Sequence, residues 1–310
     1  MNILFAGTPS IAVNCLEALV SAGHRVEVLT NPDAPGGRSS TLTPPPVKVR
    51  AEALGLQVHQ PPKLDAAARQ PLEGRFDLLV SFAYGRIFGP LFLGLFPAGG
   101  VNVHPSLLPR WRGPSPLAAA LLARDAQTGI SVQRLALQMD SGDVLLQVVR
   151  PLDGTETTGS LTTWAAEASA PLLLRAVAAI EAGTAVGLVQ DETLATSCSL
   201  VSKDQGRLDW SRSAVDLDAR IRAYDPWPGA FTAWGGQRLS LKQSSVAASA
   251  GDGEVGKVIA VDKSKGILVQ TGDGLVAVRE LQLPGRKSMD FRSFLNGNPS
   301  LVGSRLGEPS

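Results

Sequence analysis

Between residues 2 and 149 the chain alternates short, near-continuous apolar runs with helix-like stretches, and this alternation restricts the fold more than any other feature. Runs at 2–6, 25–30, 57–60, 77–82, 100–104, 130–135 and 144–149 read as strands. Several lack a polar face, which suits strands covered on both sides in a mostly parallel sheet. Segments 11–21, 47–54 and 116–122 read as helices between them, and 158–183 as a longer alanine- and leucine-rich helix. The class implied is α/β, a doubly wound, mostly parallel sheet of Rossmann-like type. Ligands bind such sheets at the carboxyl ends of their strands.

The pattern changes after residue 183. Scattered polar residues over 184–203 read as a linker. A helix at 214–224 follows, then short strands at 231–234, 238–244, 256–261, 266–270 and 275–283. Turn signals separate them, among them Gly235-Gly236, Asp252-Gly253 and Asp273-Gly274. Five short strands at this spacing suggest a small β-barrel. At 310 residues two domains are the expectation. They are placed at 1–183 and 204–310, the first carrying the chemistry.

The stretch from Gly99 to Gly113 carries that chemistry. Side chains alternate along a strand, so Asn102 and His104 share one face, and Val101 and Val103 the other. Pro105 keeps His104 extended. The two polar side chains then sit roughly 6–7 Å apart along the strand. A carboxamide beside an imidazole at a strand end suits carbonyl chemistry: one holds a developing oxyanion while the other moves a proton. A carboxylate should orient the imidazole. Asp140 and Asp143, in the turn Asp140-Ser141-Gly142-Asp143, are both candidates, and local chemistry does not separate them.

The loop Ala6-Gly7-Thr8-Pro9-Ser10 invites a dinucleotide reading but lacks the three-glycine spacing that brings a backbone onto a pyrophosphate. A tight turn with Ser10 capping the next helix is the better reading. The Gly/Pro-rich stretch 33–46 is long enough for a functional loop.

Composition excludes more than it proposes. No apolar run is long enough to span a membrane. Residues 1–5 already read as a strand rather than a targeting segment, so a cytoplasmic protein is expected. Cys15 and Cys198 read as reduced thiols, and His24, His59 and His104 form no metal-like cluster. Net charge is +1, divided as −2 up to Ser202 and +3 beyond it. That imbalance is compatible with an RNA-facing second domain and would not suggest one alone.

The run from Asn102 to Gly113 resembles the signature of the 10-formyltetrahydrofolate-dependent formyltransferases, its Ser-Leu-Leu-Pro-Arg-Trp-Arg-Gly block being closest to the branch that acts on methionyl-tRNA. The likeness extends along the chain: Phe5-Ala-Gly-Thr-Pro9, Ala83-Tyr84-Gly85, Met139-Asp140-Ser141-Gly142-Asp143, the run from Ile221 to Ala230, and Thr271-Gly272-Asp273-Gly274.

The resemblance implies formyl transfer from 10-formyltetrahydrofolate to the amino group of initiator methionyl-tRNA, without a metal. It implies Asp140 as the catalytic carboxylate beside Asn102 and His104, and a C-terminal domain of oligonucleotide-binding type that meets tRNA. It puts folate against Arg86, Ile87 and Phe88 and along Ser106, Leu107, Leu108 and Pro109. It puts tRNA near Arg38, with Arg110, Trp111 and Arg112 suited to phosphate and base. The chain departs from the pattern after Arg38, where lysines are usual and Ser39-Ser40-Thr41 stand here. A monomer is expected. The rival readings are a formyltransferase for an amino sugar or other small amine, a non-catalytic RNA-binding protein and, more distantly, a nicotinamide oxidoreductase.

Overall fold

The computed structural model describes residues 1–35, 41–248 and 253–307. Two compact units are present, and neither is continuous in sequence. The first comprises Met1–Pro116, Gln127–Pro151 and Thr162–Ser199; the second comprises Leu117–Ala126, Leu152–Leu161 and Leu200–Ser310. Strands of the first unit are β1 (Asn2–Gly7), β2 (Arg25–Leu29), the short pair β3 (Ala34–Pro35) and β4 (Leu42–Thr43), β5 (Val58–His59), β6 (Leu78–Phe82), β7 (Gly100–His104), β8 (Gln127–Arg134) and β9 (Val144–Pro151). Those of the second are β10 (Ala230–Trp234), β11 (Gln237–Ala248), β12 (Val258–Asp262), β13 (Gly266–Gln270), β14 (Leu275–Gln282) and β15 (Met289–Asp290). Helices along the chain are α1 (Val13–Ser21), α2 (Pro46–Ala53), α3 (Ala66–Arg69), α4 (Pro90–Leu93), α5 (Pro116–Ala123), α6 (Thr158–Glu181), α7 (Ala214–Ala223) and α8 (Phe291–Gly297).

The first sheet runs β5-β2-β1-β6-β7-β8-β9. It is parallel from β5 to β7 and antiparallel from β7 to β9. Strand order reverses between β1 and β6, which opens a crevice at their carboxyl ends. Burial follows the alternation of side chains. Ile3 and Phe5 pack with Cys15, Leu16 and Leu19 of α1 on one face. Leu4 and Ala6 pack on the other with Tyr84, Phe88, Phe92 and Phe96. Two-sided burial is why these strands read as continuous apolar runs. Burial also pushes the Cys15 thiol up to about 12.

The second unit holds an antiparallel sheet in the order β10-β11-β14-β13-β12, with β15 on β14. Leu217 and Ile221 of α7 enter its core. Ser213 caps α7 by accepting from the Asp216 N–H. A smaller cluster within the same unit joins Leu117 and Leu121 of α5, Leu161, Ala223 and Tyr224.

Two expectations are revised, and three short helices went unread in the sequence. Ser10 caps nothing: it starts a short 3-10 turn whose N-cap is Pro9, and no side chain caps it. Helices α3, α4 and α8 are four, four and seven residues long, too short for a period of 3.6 to register. Residues 184–199, read as linker, are bonded into the first unit: Leu188 exchanges backbone hydrogen bonds with Val144, and Arg112 pairs with Ser197.

Candidate active site

Strand β7 delivers Asn102 and His104 to one face, while Val101 and Val103 are buried on the other at 0% and 1% exposure. The antiparallel register sets Gln133 opposite Asn102 and Ser131 opposite His104. Residues directly opposite in such a pair point to the same side. The turn after β8 then brings Asp140 back over this face in a left-handed conformation, φ 53°. That is a costly state for a residue with a side chain, held where surrounding bonds over-determine it.

Those bonds are visible. Oδ1 of Asp140 accepts from Asn102 Nδ2 at 3.3 Å and from Gln133 Nε2 at 2.9 Å. Oδ2 accepts from the Gly113 N–H at 2.8 Å and lies 3.4 Å from His104 Nδ1. The other ring nitrogen, Nε2, lies 2.8 Å from the carbonyl oxygen of Trp111, itself left-handed at φ 61°. Both nitrogens of His104 therefore face an oxygen. Asp143 stands apart: its backbone carbonyl accepts from Arg134, and its side chain packs toward Gly187.

The segment 106–113 is clamped. Ser131 Oγ donates to Ser106 O and accepts from Leu108 N–H; Gln147 donates to Leu108 O at 3.0 Å. Behind it runs the segment 188–198. Thr196 accepts from the Trp111 N–H through Oγ1 and from the Arg112 N–H through its carbonyl. Gly113 tolerates no side chain, since a Cβ would sit 2.3 Å from Cys198 O. Burial, as the main cause, raises the Cys198 thiol above its usual range.

The remaining expected residues divide. Arg86 Nη1 donates to the carbonyls of Pro61 and Pro62, and Phe88 stacks between Tyr84 at 5.3 Å and Phe92 at 5.2 Å. Ile87 between them is exposed. Ser106 and Leu108 are buried, Leu107 and Pro109 half-buried. Arg110 is exposed, its guanidinium 4.5 Å above the Trp111 ring. Arg112 is corrected: rather than facing solvent to meet phosphate, it is 8% exposed and bonded to Gln190 and Glu192. Arg38 lies outside the described residues.

Sequence reasoning missed Gln133 and Gln190. Gln133 carried a weak signal, a polar residue inside an apolar run, but its register against Asn102 could not be read. Gln190, in an unpatterned stretch, carried none. Among the described residues no group of three or more His, Cys, Asp or Glu side chains is placed to hold a metal. No described helix is long and apolar enough to cross a membrane.

Comparison with known proteins defines the class. Residues 1–177 match the formyl transferase family and residues 200–299 its C-terminal domain. Solved structures agree at the level of fold. HypX from Aquifex aeolicus, solved with tetrahydrofolic acid, aligns over 100% of this chain at TM-score 0.66 and 18% identity; the chain spans 49% of it. An N-formyltransferase from Helicobacter canadensis, solved with folinic acid and dTDP-3-aminofucose, aligns over 90% of this chain and 98% of its own at TM-score 0.67 and 16% identity.

Sequence identity resolves the branch. The methionyl-tRNA formyltransferase of Treponema pallidum (strain Nichols) is 44% identical over 318 residues, covering 99% of both chains. That of Chloroflexus aurantiacus (strain J-10-fl) is 42% identical, covering 96% of this chain and 97% of its own. The chain belongs to the methionyl-tRNA formyltransferase family.

Proposed function

We infer that this chain transfers the formyl group of 10-formyltetrahydrofolate to the α-amino group of initiator methionyl-tRNA. The observation that carries the reading is the meeting of Asn102, His104 and Asp140 at one strand end, in a chain nearly half identical to curated relatives along its whole length.

Folate supplies the formyl group as co-substrate. As an amine attacks the formyl carbon, negative charge grows on its oxygen. Asn102 donates to that oxygen through the N–H of Nδ2 not directed at Asp140. His104 accepts the proton of the attacking nitrogen and returns it to the departing one. Asp140 holds the neutral ring by its Nδ1–H and balances the charge that forms, and Nε2 is the nitrogen that takes up and gives back the proton. The folate ring rests on the backbone of Arg86, Ile87 and Phe88. Pinning of Arg86 and Phe88 supports this, since it leaves a firm ledge with Ile87 exposed. Ser106, Leu107, Leu108 and Pro109 form the facing wall, and their clamp by Ser131 and Gln147 supports that role.

Arg110 and Trp111 meet the acceptor tRNA, and Arg38, which lies outside the described residues, pairs with its phosphates. The second unit is a tRNA platform of oligonucleotide-binding type; its bulged antiparallel sheet and net positive charge favour this. The protein acts as a cytoplasmic monomer, with catalysis in the first unit and tRNA binding in the second. Formylation is measured with charged initiator tRNA beside elongator tRNA, free methionine and a nucleotide-linked amino sugar. Initiator tRNA is the expected acceptor. Preferential use of the sugar overturns the reading.

A further inference from the structure

The residues behind the reacting constellation form a chain of hydrogen bonds with a fixed direction. Arg112 donates twice to Gln190 Oε1, from Nε at 3.1 Å and from Nη2 at 2.9 Å. A guanidinium has donors only, so the atom of Gln190 that faces it is the oxygen. Nε2 of Gln190 must then point the other way. It lies 2.8 Å from Asp140 O, 2.7 Å from Gly142 O and 3.3 Å from Gln133 Oε1, acceptors all. Gln133 is thereby oriented too. With Oε1 toward Gln190, its Nε2 faces Asp140 Oδ1. Glu192 holds the far end, pairing both terminal nitrogens of Arg112 at 2.9 and 2.7 Å. Arg112, Gln190 and Gln133 are 8%, 7% and 2% exposed, so water is in no position to replace a partner.

We propose that Gln190 and Arg112 are positioning residues for formyl transfer: Arg112 sets the direction of Gln190, and Gln190 holds the left-handed turn at Asp140 and sets the direction of Gln133. Reversing either carboxamide places its NH2 against a donor, or its oxygen against a carbonyl or carboxylate. The turn would relax and Asp140 would leave His104 Nδ1. The segment 188–198 thus completes the site through Gln190, which meets Asp140 at its backbone carbonyl. The inference rests on His104, Asn102 and Asp140 being the reacting groups.

The test uses the whole chain with Gln190→Met and Gln190→Glu, beside Arg112→Lys and Arg112→Met. Gln190→Glu keeps shape and the Arg112 contact, loses the donor and sets a carboxylate oxygen against the Asp140 and Gly142 carbonyls. Both Gln190 variants should lose kcat by about 10²-fold, the cost of a small misplacement of reacting groups. KM for tRNA and for folate should stay within about threefold. Arg112→Lys, still a donor to Oε1, should retain more kcat than Arg112→Met. In the unaltered protein, Nε2 protons of Gln133 and Gln190 should exchange with solvent more slowly than those of exposed Gln138, a measurement that stands even if a variant does not fold. Gln190 variants with parental kcat, a loss seen in KM alone, or exchange as fast as that of Gln138 would overturn the proposal. His104→Ala separates the two levels: parental turnover there sinks the reading of the site, whereas parental turnover in the Gln190 variants alone sinks only the positioning role.

Discussion

At the scale of single residues, the groups around Asp140 are all donors: Asn102 Nδ2, Gln133 Nε2, the Gly113 N–H and His104 Nδ1. An amide in its place must turn an NH2 toward one of them. Asp140→Asn should therefore lower kcat by about 10²–10⁴-fold, whereas Asp143→Asn, away from the ring, should stay within about threefold. Steady-state formylation of Met-tRNA checks the order, and the reverse order would mean the wrong carboxylate. The two arginines of the same stretch should separate by phenotype. Arg110→Ala should weaken tRNA binding and reduce its salt slope by about one phosphate, with kcat retained. Arg112 variants should leave that slope unchanged. Asn102 and His104 were legible because strand alternation alone puts them on one face. Asp140 needed the family resemblance, because its approach depends on a turn 36 residues beyond His104. Gln190 was illegible: its role exists only once Arg112 has folded against it.

At the scale of elements, the strands were the most readable part, since burial on both faces leaves an apolar run without ambiguity. Short helices were not. Helix α4 spans only Pro90–Leu93, yet it lies within a ladder of rings from Tyr84 through Phe88 and Phe92 to Phe96. Phe92 is 1% exposed in the middle of that ladder. Phe92→Ala should destabilise the chain by about 3–5 kcal/mol, read as a lower urea midpoint. Phe88 stacks on it and anchors the proposed folate ledge, so KM for folate should rise more than KM for tRNA. Equal rises would detach the ladder from the folate site.

At the scale of the whole molecule, the sequence suggests two consecutive domains, and the chain instead crosses between its units five times. The reason lies in the apolar faces of α5 and of the first turn of α6. Leu117, Leu121 and Leu161 are 6%, 2% and 0% exposed, and the residues they bury against include Ala223 and Tyr224, far along the chain. No local pattern reveals such a partner, because an apolar face looks the same whichever segment covers it. Each of these leucines contributes about 1.5–3 kcal/mol by its burial, so the three together approach the net stability of an ordinary domain. A fragment cut at Ser199 keeps Gln190 and the catalytic constellation but loses Ala223 and Tyr224. It should bind a hydrophobic dye that the full chain does not, and melt at a lower temperature with a broader transition. A cut at Gly183 removes Gln190, Glu192 and Thr196 as well, so it should show the same exposure and lack any formylation of Met-tRNA. A Ser199 fragment that melts like the full chain and leaves the dye in solution would mean that these leucines need no cover from the last third of the chain.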